Sequence, residues 1–227
     1  MNLAWLLAEF IGTFTLIFIG AGSICLNEMM HGGVGLLGIA TAHGLAIGVM
    51  VSALAQISGG KFNPAISLGL WAGGKQGVTP TLTEIVAQLL GGVVGALFLT
   101  WIFPSSVISA VKLGTPALGT DITPGAGIFT EAILTFLLVF TVYGAAVDTR
   151  GAFKAMGGLA IGFVILFDIL MGGGVTGGAM NPARAFGPAL ISGDWLNHYV
   201  YWIGPIIGGL IAGVLYSRVM MPNKHEV

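Results

Sequence analysis

Ser58-Gly59-Gly60-Lys61-Phe62-Asn63-Pro64-Ala65 returns in altered form as Thr176-Gly177-Gly178-Ala179-Met180-Asn181-Pro182-Ala183. Both stretches sit in an overwhelmingly apolar chain and end on the same triplet. Asparagine is a favoured helix cap and proline fits the first helical position, so each triplet reads as the start of a short helix whose first backbone N–H groups lack partners. At membrane depth such helix starts are tolerated only where they face protein or water. Two of them in one chain point to a pore.

The surroundings agree. Of 227 residues, 56% are hydrophobic and only 7% charged, and the mean hydropathy is +0.96. Soluble domains carry roughly a quarter charged residues, so this is a membrane protein by composition. The 38 glycines lie inside apolar runs, which suits helices that pack closely in lipid and not a flexible low-complexity chain. A net charge of -1 gives no reason to expect a nucleic-acid partner. The single cysteine, Cys25, rules out an internal disulfide and reads as a small apolar filler near a helix end.

Six stretches are long enough to span a bilayer, near 3–24, 36–57, 82–103, 126–147, 155–172 and 197–219, since a span needs about 20 residues. Two more, near 63–73 and 181–192, are too short. The first span has no basic leader and carries Glu9, so it reads as a retained helix, with a cleaved signal peptide as second choice. With both termini in the cytoplasm, Lys61, Lys75, Arg150, Lys154, Arg218 and Lys224 fall inside and only Lys112 outside, while Arg184 lies in the second short helix. That asymmetry sets the orientation, and it makes the two asparagine loops re-enter from opposite faces and meet near the middle.

An internal repeat supports the same picture. Glu9-Phe-Ile-Gly-Thr-Phe14 matches Glu131-Ala-Ile-Leu-Thr-Phe136, and Gly44-Leu-Ala-Ile-Gly48 matches Gly158-Leu-Ala-Ile-Gly162, at nearly the spacing of the triplets. The chain therefore reads as one channel domain, 1–227, made of halves at about 1–110 and 120–220. Three spans per half invert the second copy, an arrangement that places sites near the midplane. The pairs Gly44/Gly48, Gly91/Gly95, Gly158/Gly162 and Gly209/Gly213 are expected at close helix crossings. Glu9 and Glu131 hold matching places, and two roles stay open for them: an ion or proton relay, or structural carboxylates that accept hydrogen bonds from the adjacent loop. Asp168 is expected to bond backbone at the start of the second loop and is given no pore role. His31, His198 and His225 read as solvated or interfacial. The solvent-facing segments hold no Ser-His-Asp set, metal-ligand cluster or phosphate loop, so neither an enzyme nor a bound cofactor or metal is expected. An ion-coupled transporter using Glu9, Glu131 and Asp168 is the main rival, with a junction or scaffolding protein behind it.

The two loop motifs, including Arg184-Ala-Phe-Gly-Pro188, and the paired glutamates resemble the major intrinsic protein (aquaporin) family over essentially the whole chain. The segment from Gly193-Asp194 to Gly204-Pro205 is similar to plant tonoplast intrinsic proteins, and microbial aquaporins of the same filter type fit equally. The resemblance implies an all-α membrane fold of six spanning helices and two re-entrant half-helices. It also implies a homotetramer with one pore per subunit, in a vacuolar membrane for a plant host or the cell membrane for a microbial one. Counting from the triplets as in the family puts His43, Ile169, Gly178 and Arg184 at the selectivity filter. This set resembles channels for water and neutral ammonia that exclude protons and ions. Ala185 stands where glycerol facilitators often carry aspartate, and Ala189 and Tyr201-Trp202 look water-channel-like. The outer loop near 104–125 lacks the histidine of some ammonia-conducting relatives. A strict water channel or a glycerol or urea facilitator is the alternative.

Overall fold

The computed structural model describes residues 2–150 and 156–221. Lys154, Lys224 and His225, used above for orientation or read as solvated, lie outside them. In chain order the helices are α1 (Leu3–Met29), α2 (Gly35–Ser58), α3 (Pro64–Ala72), α4 (Val78–Ile102), α5 (Ser105–Val111), α6 (Pro124–Val147), α7 (Gly157–Gly172), α8 (Pro182–Ser192) and α9 (Val200–Met220). Among the described residues five of them, α1, α2, α4, α6 and α9, are long and apolar enough to cross a membrane. The remaining expected span is α7, which has only 16 residues. Its end is extended by a tight turn in which Gly173 N–H donates to Ile169 and Thr176 N–H to Gly172, so the chain continues directly into the second asparagine loop.

Each short helix starts as the triplets require. Asn63 and Asn181 have extended backbones, and each is followed by proline at the first helical position. Asn63 Oδ1 accepts the N–H of Ala65 at 2.8 Å, and Asn181 Oδ1 accepts those of Ala183 at 2.9 Å and Arg184 at 3.2 Å. Immediately before them the chain turns through left-handed conformations at Gly59, Gly60 and Phe62, and again at Gly177, Gly178 and Met180. Glycine adopts these freely, whereas Phe62 and Met180 need their neighbours to hold them there.

Helix pairs pack through backbone contact at glycine, and the contacts come in matched sets. A Cβ on Gly44 would press on the carbonyl of Gly162 and one on Gly162 on that of Gly44, which lets α2 and α7 cross closely. Gly91 of α4 lies against the Phe10 carbonyl of α1, just as Gly208 of α9 lies against the Ala132 carbonyl of α6. Gly92 abuts Ala183 at the start of α8, and Gly209 abuts Ala65 at the start of α3. The two short helices are thereby wedged between spans. Leu3, Val49, Trp101, Phe129 and Phe163 turn outward, as expected of a surface that faces lipid.

Candidate functional site

Asn63 and Asn181 come together at the centre of the bundle, and each is tied to the other's loop. Asn63 Nδ2 donates to the Met180 carbonyl at 2.9 Å, and Asn181 Nδ2 donates to the Phe62 carbonyl at 2.9 Å. The left-handed Phe62 and Met180 thus aim their carbonyls at the asparagine of the opposite loop, which gives their unusual conformations a purpose. Both asparagines are almost fully buried.

The same cavity is lined by these asparagines and by all four expected filter residues, His43, Ile169, Gly178 and Arg184. Its remaining wall is largely aliphatic, including Leu16, Ile47, Ile66, Leu138 and Ile165. At the Arg184 end a wider vestibule continues outward between Ile24, Leu36, Pro116 and Gly177. Arg184 and Ile169 line both spaces.

Between the two spaces Arg184 Nη1 donates to the carbonyl of Gly114 at 2.7 Å, and Nη2 lies 3.4 Å from His43 Nε2. His43 Nδ1 lies 2.9 Å from the Ile39 carbonyl. Nδ1 must donate to that carbonyl, so Nε2 carries the lone pair that faces the guanidinium and the ring is neutral in this geometry. Gly20 leaves room for it, because a Cβ there would lie 2.5 Å from the imidazole. Gly178, at φ +56, would hold a Cβ 3.2 Å from the Cα of Ile169, so a side chain there would be strained and would crowd Ile169.

The two glutamates show their chemistry directly. Glu131 accepts from Thr176 Oγ1 at 2.6 Å, Ala179 N at 2.9 Å and Met180 N at 2.6 Å. Glu9 accepts from Ser58 Oγ at 2.6 Å, Lys61 N at 3.1 Å, Phe62 N at 2.8 Å and Gln88 Nε2 at 2.7 Å. Both are buried, and both supply acceptors to loop N–H groups that lipid would leave orphaned. Asp168 departs from its expectation. Its carboxyl is fully buried and, among the described residues, neither oxygen has a hydrogen-bond partner. The start of the second loop is served instead by Tyr201, whose hydroxyl donates to the Thr176 carbonyl at 2.9 Å.

Several contributors escaped the sequence reading. The Gly114 carbonyl comes from the short 3-10 turn at Lys112–Gly114 that follows α5, and no motif marks it. Lys61, counted above as a loop charge, is only 5% exposed, and Glu84 of α4 is its partner at 2.8 Å. A charged residue directly before Phe62, where the second loop has Ala179, was the available signal. His198 is half-buried among Phe186, Trp195 and Trp202 and accepts a hydrogen bond from Trp202 Nε1 at 3.0 Å. That burial holds its pKa below the usual histidine value. His31 is exposed, as expected. Among the described residues no cluster of His, Cys, Asp and Glu is placed to hold a metal ion.

Comparison with known proteins gives consistent results. The family model described as major intrinsic protein matches residues 2–216. The chain is 43% identical to aquaporin TIP4-4 of Zea mays, over 97% of this chain and 88% of that protein. It is 42% identical to aquaporin TIP4-1 of Arabidopsis thaliana, over 97% and 87%. Its fold is similar to the X-ray structure of the aquaglyceroporin from Plasmodium falciparum, with a TM-score of 0.85, 28% identity, and 96% of this chain and 97% of that one covered.

Proposed function

The chain belongs to the major intrinsic protein family of membrane channels, and on that premise we propose that it passes water and neutral ammonia passively while excluding protons and other ions. The observation that carries this reading is the shared cavity. His43, Ile169, Gly178, Arg184, Asn63 and Asn181 all line it, and among the described residues Lys61 is the one further polar side chain on an otherwise apolar wall. Fast passage requires sparse hydrogen-bonding groups on apolar walls, enough to replace bulk partners without trapping the solute.

Each asparagine amide has two N–H bonds. One is spent on the opposite loop, and in our reading the second donates to a passing oxygen. Helices α3 and α8 direct their N-termini at the same place, each bringing roughly half a positive charge. A cation is opposed there, and waters on either side orient in opposite senses, which interrupts a proton-carrying chain. Arg184 adds a fixed charge with directed donors, and neutral His43 adds an acceptor and an edge. Ile169 and Gly178 leave the ring less polar than one with a second histidine, which favours small neutral solutes such as ammonia alongside water.

The carboxylates support a channel over an ion-coupled transporter, because Glu9 and Glu131 are engaged by loop donors. The name of the Plasmodium falciparum neighbour keeps a glycerol-passing alternative in view, and Ala185 beside the filter arginine speaks against it. We further propose one channel domain of two inverted halves, assembly as a homotetramer through part of the apolar outer face, and termini in the cytoplasm. The tonoplast-type relatives favour a vacuolar membrane in a plant host; in a microbial host the cell membrane takes its place.

Purified protein in liposomes tests the reading by stopped-flow light scattering. Osmotic shrinkage well above empty vesicles, ammonia-driven internal alkalinisation, slow glycerol entry and no proton leak are expected. Water flux equal to that of empty vesicles would overturn the channel, and water flux without alkalinisation would leave a strict water channel.

A further inference from the structure

One buried charge cluster, built on the Lys61–Glu84 pair, lies at the end of the cavity opposite Arg184. Lys61 helps line the cavity, yet its ammonium is drawn aside. Nζ donates to the Ser58 carbonyl at 2.5 Å, pairs with Glu84 Oε2 at 2.8 Å, lies 4.0 Å from Glu9 Oε1 and sits 4.4 Å from the Trp5 ring centroid. Glu84 is held in turn by Gln76 Nε2 at 2.5 Å and Trp5 Nε1 at 3.2 Å. Lys61, Glu84 and Glu9 are all buried.

The loop does not need this side chain to hold its shape. Glu9 grips the first loop through the Ser58 hydroxyl and the backbone N–H groups of Lys61 and Phe62. Glu131 grips the second loop through the same three kinds of donor, with Ala179 in the place of Lys61. The backbone does the holding in both, and the ammonium is an addition. Its effect is electrostatic. Two carboxylates, Glu9 and Glu84, lie behind Lys61 without themselves lining the cavity, and charge of one sign left uncompensated near a narrow passage concentrates counter-ions in it.

We propose that Lys61 is a specificity determinant, a second fixed cation that offsets one of the two carboxylate charges of Glu9 and Glu84 and so lowers the attraction of cations to this mouth, and that Glu84 with Trp5 positions its head clear of the solute path. The proposal rests on the channel reading above. Intramembrane charges persist where they are paired and functional, and the lysine stem is long enough to reach back into the passage once its clasp is lost.

The test uses the full chain in liposomes and planar bilayers, reading potassium and proton leak per unit of water flux. Lys61→Met is expected to raise that ratio about tenfold or more, and Lys61→Arg to keep it near wild type. Glu84→Gln is expected to lower water flux while the ratio stays low, because the freed ammonium enters the passage. A Lys61→Met channel as cation-tight as wild type overturns the proposal, as does a Lys61→Arg channel that leaks like Lys61→Met. Should Lys61→Met fail to insert, Glu84→Gln decides: undiminished water flux overturns the proposal. Wild-type protein without water flux overturns the underlying reading instead.

Discussion

Glu131 sits in an apolar run and is fully buried, yet it accepts three hydrogen bonds from one loop at 2.9 Å or less. Replacing it with glutamine turns one acceptor into a donor facing N–H groups that have nowhere else to go. Glu131→Gln should therefore destabilise the protein by about 2–3 kcal/mol, visible as a lower unfolding midpoint in detergent. An unchanged midpoint would revive the relay role. At this scale the sequence was most legible where a residue's job is set by its own backbone. Asparagine before proline fixed both caps, and the paired glutamates led to the loops they hold. It was least legible where a partner comes from a short turn or a distant helix. The Gly114 carbonyl that orients Arg184 carries no side-chain signature, and the pairing of Lys61 with Glu84 depends on how α4 packs. Asp168 went the other way: a carboxyl suited to capping lies where no described donor reaches it.

Between elements, packing rests on glycine positions where helices touch backbone to backbone. A methyl on Gly208 would overlap the Ala132 carbonyl and force α9 from α6, whereas a methyl on Gly125, in the first turn of α6, would meet nothing within 4 Å. Gly208→Ala should sharply lower the yield of folded protein. Gly125→Ala should be neutral or stabilising by up to about 1 kcal/mol. Thermal unfolding of the pair checks both signs. A second contact between elements joins the end of α6 to the end of α9. Arg150 pairs with Asp148 at 2.6 Å and donates to the Met220 carbonyl at 2.7 Å. The Arg150 guanidinium holds the Asp148 carboxyl well below the usual carboxylate range. A depressed folded pKa gives stability that is present above the unfolded value of about 4 and is lost as pH falls below it. Asp148→Asn should flatten that part of the acid dependence, read from unfolding midpoints between about pH 3 and 7. A mutant curve parallel to wild type throughout would contradict it. The span boundaries were readable because the apolar runs are long. The expected span at 155–172 and α7 share their end at Gly172, and the helix begins at Gly157.

For the whole molecule, the sequence carried the architecture because lipid removes most alternatives. Apolar runs must be helices, and interrupted ones must face protein or water. Composition and period alone could not show how firmly the two halves depend on each other. Asn63 is anchored by the Met180 carbonyl and Asn181 by the Phe62 carbonyl, so each asparagine loop completes the other. A chain divided near Asp121, in the exposed connection between the halves, should work only when both pieces are made in the same cell. Either piece alone should give no water flux in vesicles, and co-purified pieces should restore it. Activity from one piece would show that the crossed amide ties are dispensable. The same ties bear on biosynthesis: during translation the early segment must wait, unfinished at its centre, until the late segment threads into the bilayer. Ribosome pauses or truncations falling between the two should therefore yield inserted but non-conducting material that quality-control proteases can recognise.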